Sequence, residues 1–249
     1  RIKAGLLHDL LTRGIDDAGR LRDPATHRFK ETAVGLVPVE WEVERFGGHV
    51  ESSAFGPRFS SALYAEDGSA AMLRTTDLDD DGNIISLSLP RANLDLGGYA
   101  HHFLKEGDVV ISRSGTIGVT TVFSGYEVPV IPAAFMIRFR MFDTMNPTFV
   151  RRLFNSPRGR KLIYGKMAGG VQSNITSTAI ADIRIPVPNP EEQRAICRVF
   201  DEVNESLAQT RRQLDKLHSL KSGLMHDLLT GWVAVTRLAN AVEEGSNAA

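Results

Sequence analysis

Six cations, Arg151, Arg152, Arg158, Arg160, Lys161 and Lys166, fall between positions 144 and 181, where the chain carries no acid. Such a run suits sequence-independent contact with phosphates, although a solvated helix face has the same composition. Directly behind it lies Gly169-Gly170-Val171-Gln172-Ser173-Asn174-Ile175-Thr176, a loop of amides and hydroxyls, the groups that read base edges. Arg74, Arg113, Ser114 and Thr116 offer similar chemistry in polar segments at strand ends. Together with Gln172, Ser173 and Asn174 they form the expected base-reading set, and the six cations form the expected phosphate-contacting set. A structural hairpin turn is the competing reading for Arg113 to Thr116.

Other patterns that resemble catalytic or metal sites fail on chemistry. Asp77-Leu78-Asp79-Asp80-Asp81-Gly82-Asn83-Ile84 begins like a calcium loop, but Ser88 stands where the bidentate glutamate belongs, so a hairpin turn is expected. His101 and His102 are adjacent, so they should point apart, and no Cys or HExxH partner stands nearby. Ser114-Gly115-Thr116-Ile117-Gly118 lacks both the lysine of a P-loop and the glycine spacing of a dinucleotide site. There is no GxSxG elbow, and Cys197 falls in a helical pattern, not in an electropositive pocket. No catalytic residue, metal site or cofactor is therefore expected in this chain.

The elements that must carry these groups divide the chain into four expected parts. Residues 1–34 hold a helix end and a linker, 35–188 a β-rich mixed domain, 189–231 one long helix and 232–249 a flexible tail. In the domain, short apolar runs such as Ala71-Met72-Leu73-Arg74, Asp108-Val109-Val110-Ile111 and Ala134-Phe135-Met136-Ile137-Arg138-Phe139 read as strands between tight turns, and residues 143–164 read as a helix. The fold class is α+β. The long helix opens on Asn189 as N-cap and Pro190 at its first position, with Glu191 and Glu192 favouring the dipole, and it runs to Gly231. Ile196, Phe200, Val203, Leu207, Leu214, Leu217, Leu224 and Leu228 recur at heptad spacing, broken at Thr210 and Lys221. A helix of about 41 residues spans roughly 60 Å, and its seam is expected to need a partner helix.

The decamer Lys3-Ala4-Gly5-Leu6-Leu7-His8-Asp9-Leu10-Leu11-Thr12 returns as Lys221-Ser222-Gly223-Leu224-Met225-His226-Asp227-Leu228-Leu229-Thr230, altered at two positions. A spacing of 218 residues is far too long for a solenoid repeat of about 20 to 50. Both copies read as helix ends closed by glycine, and the spacing reads as the joint of a larger duplicated unit.

Composition sets the outer bounds. With 29 Lys and Arg against 30 Asp and Glu, net charge gives no global sign of a nucleic-acid partner, so any such signal is local. One cysteine excludes an intramolecular disulfide, no secretory pattern opens the chain, and no apolar run of about 18 residues suggests a membrane span. The expected compartment is the cytoplasm.

Several motifs then coincide in order. Leu36-Val37-Pro38-Val39-Glu40-Trp41-Glu42-Val43, Leu73-Arg74-Thr75-Thr76-Asp77-Leu78 and residues 106–118, from Glu106-Gly107-Asp108 through Ser112-Arg113-Ser114-Gly115-Thr116-Ile117-Gly118, resemble a target-recognition domain of the DNA-specificity subunit of type I restriction-modification systems. Gln172-Ser173-Asn174-Ile175, Ile183-Arg184-Ile185-Pro186-Val187-Pro188, Glu192-Gln193-Arg194 and the closing decamer with Gly231 are similar to that family's junction into its conserved helix.

The resemblance implies a non-catalytic protein that binds double-stranded DNA and chooses the site. Separate modification subunits methylate adenine with S-adenosylmethionine, and a restriction subunit cuts. No NPPY or DPPY motif, nuclease signature or Walker motif is present in this chain. Complete subunits of that kind carry two recognition domains, so this chain is expected to be either a half-length subunit that pairs with a second copy or the carboxy-terminal half of a longer one. Its start at Arg1, on a helix end, favours the second. The rival readings are a coiled-coil protein-interaction module and a self-sufficient methyltransferase or nuclease.

Overall fold

The structure, a computed structural model, describes residues 2–167 and 174–231, with backbone alone for residues 2–4. The chain begins with helix α1 (Ile2–Arg13) and runs through strands β1 (Phe29–Lys30), β2 (Val37–Pro38), β3 (Glu42–Arg45), β4 (Val50–Phe55), β5 (Ala70–Leu73) and β6 (Arg91–Ala92). A hairpin of β7 (Val109–Ser112) and β8 (Thr120–Val122) follows, then β9 (Val130–Pro132) and β10 (Met136–Met141). Helices α2 (Pro147–Asn155), α3 (Pro157–Tyr164) and α4 (Ser177–Ala181), strand β11 (Arg184–Val187) and helix α5 (Pro190–Leu229) complete it. The class is α+β, as the alternation of short strands and helices predicts.

The central sheet has the order β4-β10-β7-β8, antiparallel throughout. Every residue of β7 is buried, and so are Met136 to Phe139 of β10. That pattern arises because both faces are covered. Ile111, Ile137 and Phe139 enter one cluster with Trp41, Phe46, Phe149 and Phe154, whereas Val110 and Met136 join Leu73, Leu104 and Phe123 on the other side. Phe46 meets Phe139 and Phe154 edge to face, with centroids 5.3 Å and 5.1 Å apart, a favoured aromatic geometry. A second sheet, β6-β5-β9, pairs β5 and β9 in parallel.

The single helix expected over residues 143–164 is two. Ser156 ends α2 and begins α3: its extended backbone stops the first helix, its Oγ accepts from the Gly159 N–H at 3.0 Å, and Pro157 takes the first position of the second. Proline disfavours helical geometry in the residue before it, which fixes the break at that point.

The chain divides into two compact units, Arg1–Phe200 and Asp201–Ala249. The start of α5 lies in the first, because Ile196, Cys197 and Phe200 are buried in its main core. These two seam residues, Ile196 and Phe200, thus pack against their own domain. In the second unit Val203, Leu207 and Leu228 are half-buried, whereas Leu214, Leu217 and Leu224 are exposed. Leu220, Met225 and Leu229 add to that exposed apolar surface.

The two decamer copies have different surroundings. In α1, Leu10 and Leu11 are each 1% exposed within the main core, and Gly14, at φ +62°, closes the helix by donating its N–H to Leu10 O at 3.2 Å. Their counterparts in α5, Leu228 and Leu229, are half-buried and exposed.

A buried carboxylate joins the segment that follows α1 to α5. Glu192 accepts from both terminal nitrogens of Arg22, from the indole N–H of Trp41 at 3.0 Å and from the Ile15 N–H at 3.0 Å. Beside it, fully buried Gln193 accepts from the Asn146 N–H at 2.7 Å and donates to Thr144 O and Pro188 O. Asn189 caps the helix as expected, taking the Glu192 N–H at 2.8 Å. Glu192 therefore does more than complement the helix dipole.

Candidate nucleic-acid interface

The turn between β7 and β8 is built to hold a fixed shape. The buried hydroxyl of Ser112 donates to Thr116 O and accepts from the Val119 N–H at 2.9 Å, closing the loop across its base. Gly115 and Gly118 take φ +75° and +82°, values that side chains other than glycine rarely adopt. Asp108, at the start of β7, grips Arg140 through two bonds of 2.9 Å and 2.7 Å and caps the preceding turn at the Lys105 N–H. Residues 113–119 thus form a hairpin turn, with Thr116 exposed and Arg113 and Ser114 half-buried.

The fold brings this turn beside the described end of the polar loop, from Asn174. The Ile175 N–H donates to Arg113 O at 3.2 Å, so exposed Asn174 follows the same rim. Gln172 and Ser173 lie outside the described residues. The Arg74 guanidinium forms a bidentate pair with fully buried Asp77, at 3.1 Å and 2.8 Å. That pair anchors the turn after β5.

Burial alone would raise the Asp77 carboxyl, but hydrogen bonds from the Arg74 side chain, Ser86 and the Arg74 N–H outweigh it and hold the group below its ordinary value. The stability it contributes is therefore complete above an unfolded carboxylate pKa of about 3.9 and is lost as pH falls through the lower folded value. Asp77→Asn is expected to lower stability near neutrality and flatten the acid limb below about pH 4. Urea denaturation across that range checks it; an unchanged acid limb would remove Asp77 from the account.

The acid-free character of the basic run holds along the chain and fails in space. Arg151 donates to Asp81 O at 3.2 Å and to Asn83 Oδ1, and Arg160 donates to Asp80 O at 2.7 Å. Both therefore clamp the acidic turn that the sequence places 70 and 80 residues earlier. Asn155 completes the clamp, bridging Asp81 O and both backbone groups of Thr120. Gly82 fits beneath because it has no side chain: a Cβ would stand 1.9 Å from Thr120 O. The turn is itself a short hairpin closed by a Leu78–Ile84 bridge, with Asp79 holding Asn83.

Lys166 pairs with Asp182, and Arg152 lies over the Phe200 ring, 4.1 Å from its centroid. Arg158 is half-buried, and desolvation lowers its pKa despite the charge of Glu31. Lys161 is exposed on α3, whose Arg160 also reaches Ile117 O in the β7–β8 turn at 3.5 Å.

His101 and His102 do not point apart. A 3₁₀ turn over Ala100–His102 brings their rings to 3.9 Å between centroids, and His102 Nδ1 donates to Phe55 O at 2.9 Å. Burial lowers the pKa of His102, the hydrogen bond to Phe55 opposes this and the charge of His101 adds to it.

A model of the Type I restriction modification DNA specificity domain matches residues 38–218. The chain belongs to that family. The type I restriction enzyme MjaVIII specificity subunit of Methanocaldococcus jannaschii is 24% identical over 250 residues, covering 96% of this chain and 55% of that protein. In three dimensions the specificity domain is similar to the HsdS subunit from Thermoanaerobacter tengcongensis, with TM-score 0.58 at 18% identity over 85% of this chain and 44% of that one. The S subunit from M. genitalium gives TM-score 0.53 at 14% identity over 89% of this chain and 51% of that one. These two likenesses show the fold. The chain spans about half the length of the curated relatives it matches.

Within the specificity domain, the functional geometry that sequence reasoning missed is mostly support. Ser112 shapes the hairpin turn, Asp108 fixes the start of β7 against Arg140, and Asn155 ties the start of β8 to the acidic turn. Phe55 also escaped notice, since one aromatic on an edge strand carries no periodic signal. Its ring lies under the Arg113 guanidinium, 4.7 Å away.

Proposed function

We propose that this chain is a DNA-specificity subunit, itself non-catalytic, which directs type I modification and restriction subunits to a bipartite target on double-stranded DNA. Membership of the specificity family carries the reading, and the meeting of the Arg113 turn with the loop at Asn174 supports it by setting two polar segments, about sixty residues apart, on one rim. Polar groups on a rigid turn suit base-edge readout, and the neighbouring cations of α2 and α3 suit phosphate contact. The exposed stripe of α5 suits pairing with a second copy or with the matching helix of a longer subunit. Paired helices of fixed length would set the distance between two half-sites. The cytoplasm is the corresponding compartment, and among the described residues no helix is long and apolar enough to cross a membrane.

Salt-dependent retention on duplex DNA tests the reading. The logarithm of affinity should fall steeply with the logarithm of salt, by a slope of about 0.9 for each phosphate contacted. Replacing Arg151, Arg160 and Lys161 by glutamine should reduce that slope and weaken binding equally on all sequences. A wild-type chain whose retention ignores salt would refute DNA recognition. A triple variant with the parental slope would place the phosphate contacts elsewhere.

A further inference from the structure

Arginines held in place by this fold are held mainly by acids: Arg22 by Glu192, Arg45 by Asp182, Arg74 by Asp77, Arg91 by Glu127 and Arg140 by Asp108. Arg113 is fixed by other means. Its N–H donates to Phe135 O at 2.8 Å, and its carbonyl takes the Ile175 N–H. Its guanidinium carbon stands 4.7 Å from the centroid of the Phe55 ring. Its buried Nε has no hydrogen-bond partner, and the guanidinium forms no ion pair with the described residues.

Phe55 is firmly placed in turn. It pairs with Ile137 of β10, its carbonyl accepts from His102, and the residue is 38% exposed. An aromatic ring can hold the face of a guanidinium while leaving its in-plane N–H groups available, whereas a bidentate carboxylate occupies them. Two adjacent in-plane N–H groups are what a bidentate contact to guanine O6 and N7 requires.

We infer that Arg113 reads a guanine in the target and that Phe55 is the positioning residue that aims it. The inference rests on the DNA-recognition reading and adds to it a base, a reader and the ring behind the reader. Phe55 itself touches no base in this scheme.

Selection of duplexes from a randomised pool by the 249-residue chain, followed by sequencing, tests it. The wild type should enrich a motif in which one guanine depends on Arg113, so that Arg113→Ala lowers preference there about tenfold or more. Phe55→Leu should lower preference at the same position several-fold, leave the other positions and the salt slope unchanged, and be rescued by Phe55→Tyr. Thermal melting of each variant confirms folding.

An adenine or a pyrimidine at the Arg113-dependent position would overturn the guanine assignment. Loss spread evenly over the motif, or a Phe55→Leu variant indistinguishable from wild type at that position, would overturn the positioning role. A salt-sensitive wild type that enriches no motif would overturn the inference and leave phosphate binding standing. A wild type that neither enriches nor responds to salt would remove the DNA-recognition reading as well.

Discussion

Replacing Glu192 by alanine is expected to destabilise the recognition domain by about 3 to 5 kcal/mol, the range found when one partner of a buried ion pair is removed. The carboxylate sits among four donors from three separate segments: two nitrogens of Arg22, the Trp41 indole and the Ile15 amide. Removing it leaves a guanidinium on a side chain only 8% exposed without its hydrogen-bonded counter-charge, and leaves two N–H groups unsatisfied. For a unit of this size the loss corresponds to a fall in Tm of about 10 °C. Glu192→Gln should fall between wild type and alanine, because it preserves shape and one acceptor but not the charge. Arg22→Met in the alanine background should recover part of the loss, since the stranded cation is then absent. Urea denaturation measures all three, and a loss below about 1 kcal/mol for alanine would show that water substitutes for the carboxylate.

Charging the exposed stripe of α5 should abolish self-association without unfolding the domain. Leu214 and Leu217 are 53% and 62% exposed, and Leu220 and Leu224 continue the surface. Full burial of such a side chain contributes about 1.5 to 3 kcal/mol, and about half remains to be gained at each position. In a symmetric pair every substitution counts twice. Leu214→Asp with Leu217→Asp, which also buries charge, should therefore weaken association more than a hundredfold. Sedimentation at micromolar concentration checks this, with melting of the domain as the control. A wild-type chain that sediments as a monomer would show that two copies do not pair through this stripe and assign it to a different helix.

Strong local signals carried much of the architecture. The cap at Asn189 and the proline after it located the start of α5, whose end at Leu229 lies near the expected glycine. Continuous apolar runs located β5, β7 and β10 to within two residues. What linear order hides is proximity. Arg151 and Arg160 stand in an acid-free stretch, yet folding lays the Asp79 to Asp81 turn against them. Glu192 reads as one more acid in a first helical turn, and its role becomes visible only when Arg22 and Trp41 arrive from the far end of the sequence. Arg113 was legible as a polar candidate, but the ring that orients it comes from a strand nearly sixty residues earlier. Pro157 announced a helix break that an overall helical pattern obscured.

The carboxylate of Glu192 also ties the entrance of the domain to its exit. The chain arrives through Ile15 and Arg22, passes Trp41, and departs along α5, and all of these meet at one buried group. Arrival and departure thus share a gateway built from residues near 15–41 and 192, with Gln193 beside it binding Asn146 and Thr144. The two borders of the domain should therefore open together, as one unit, when that single group is lost.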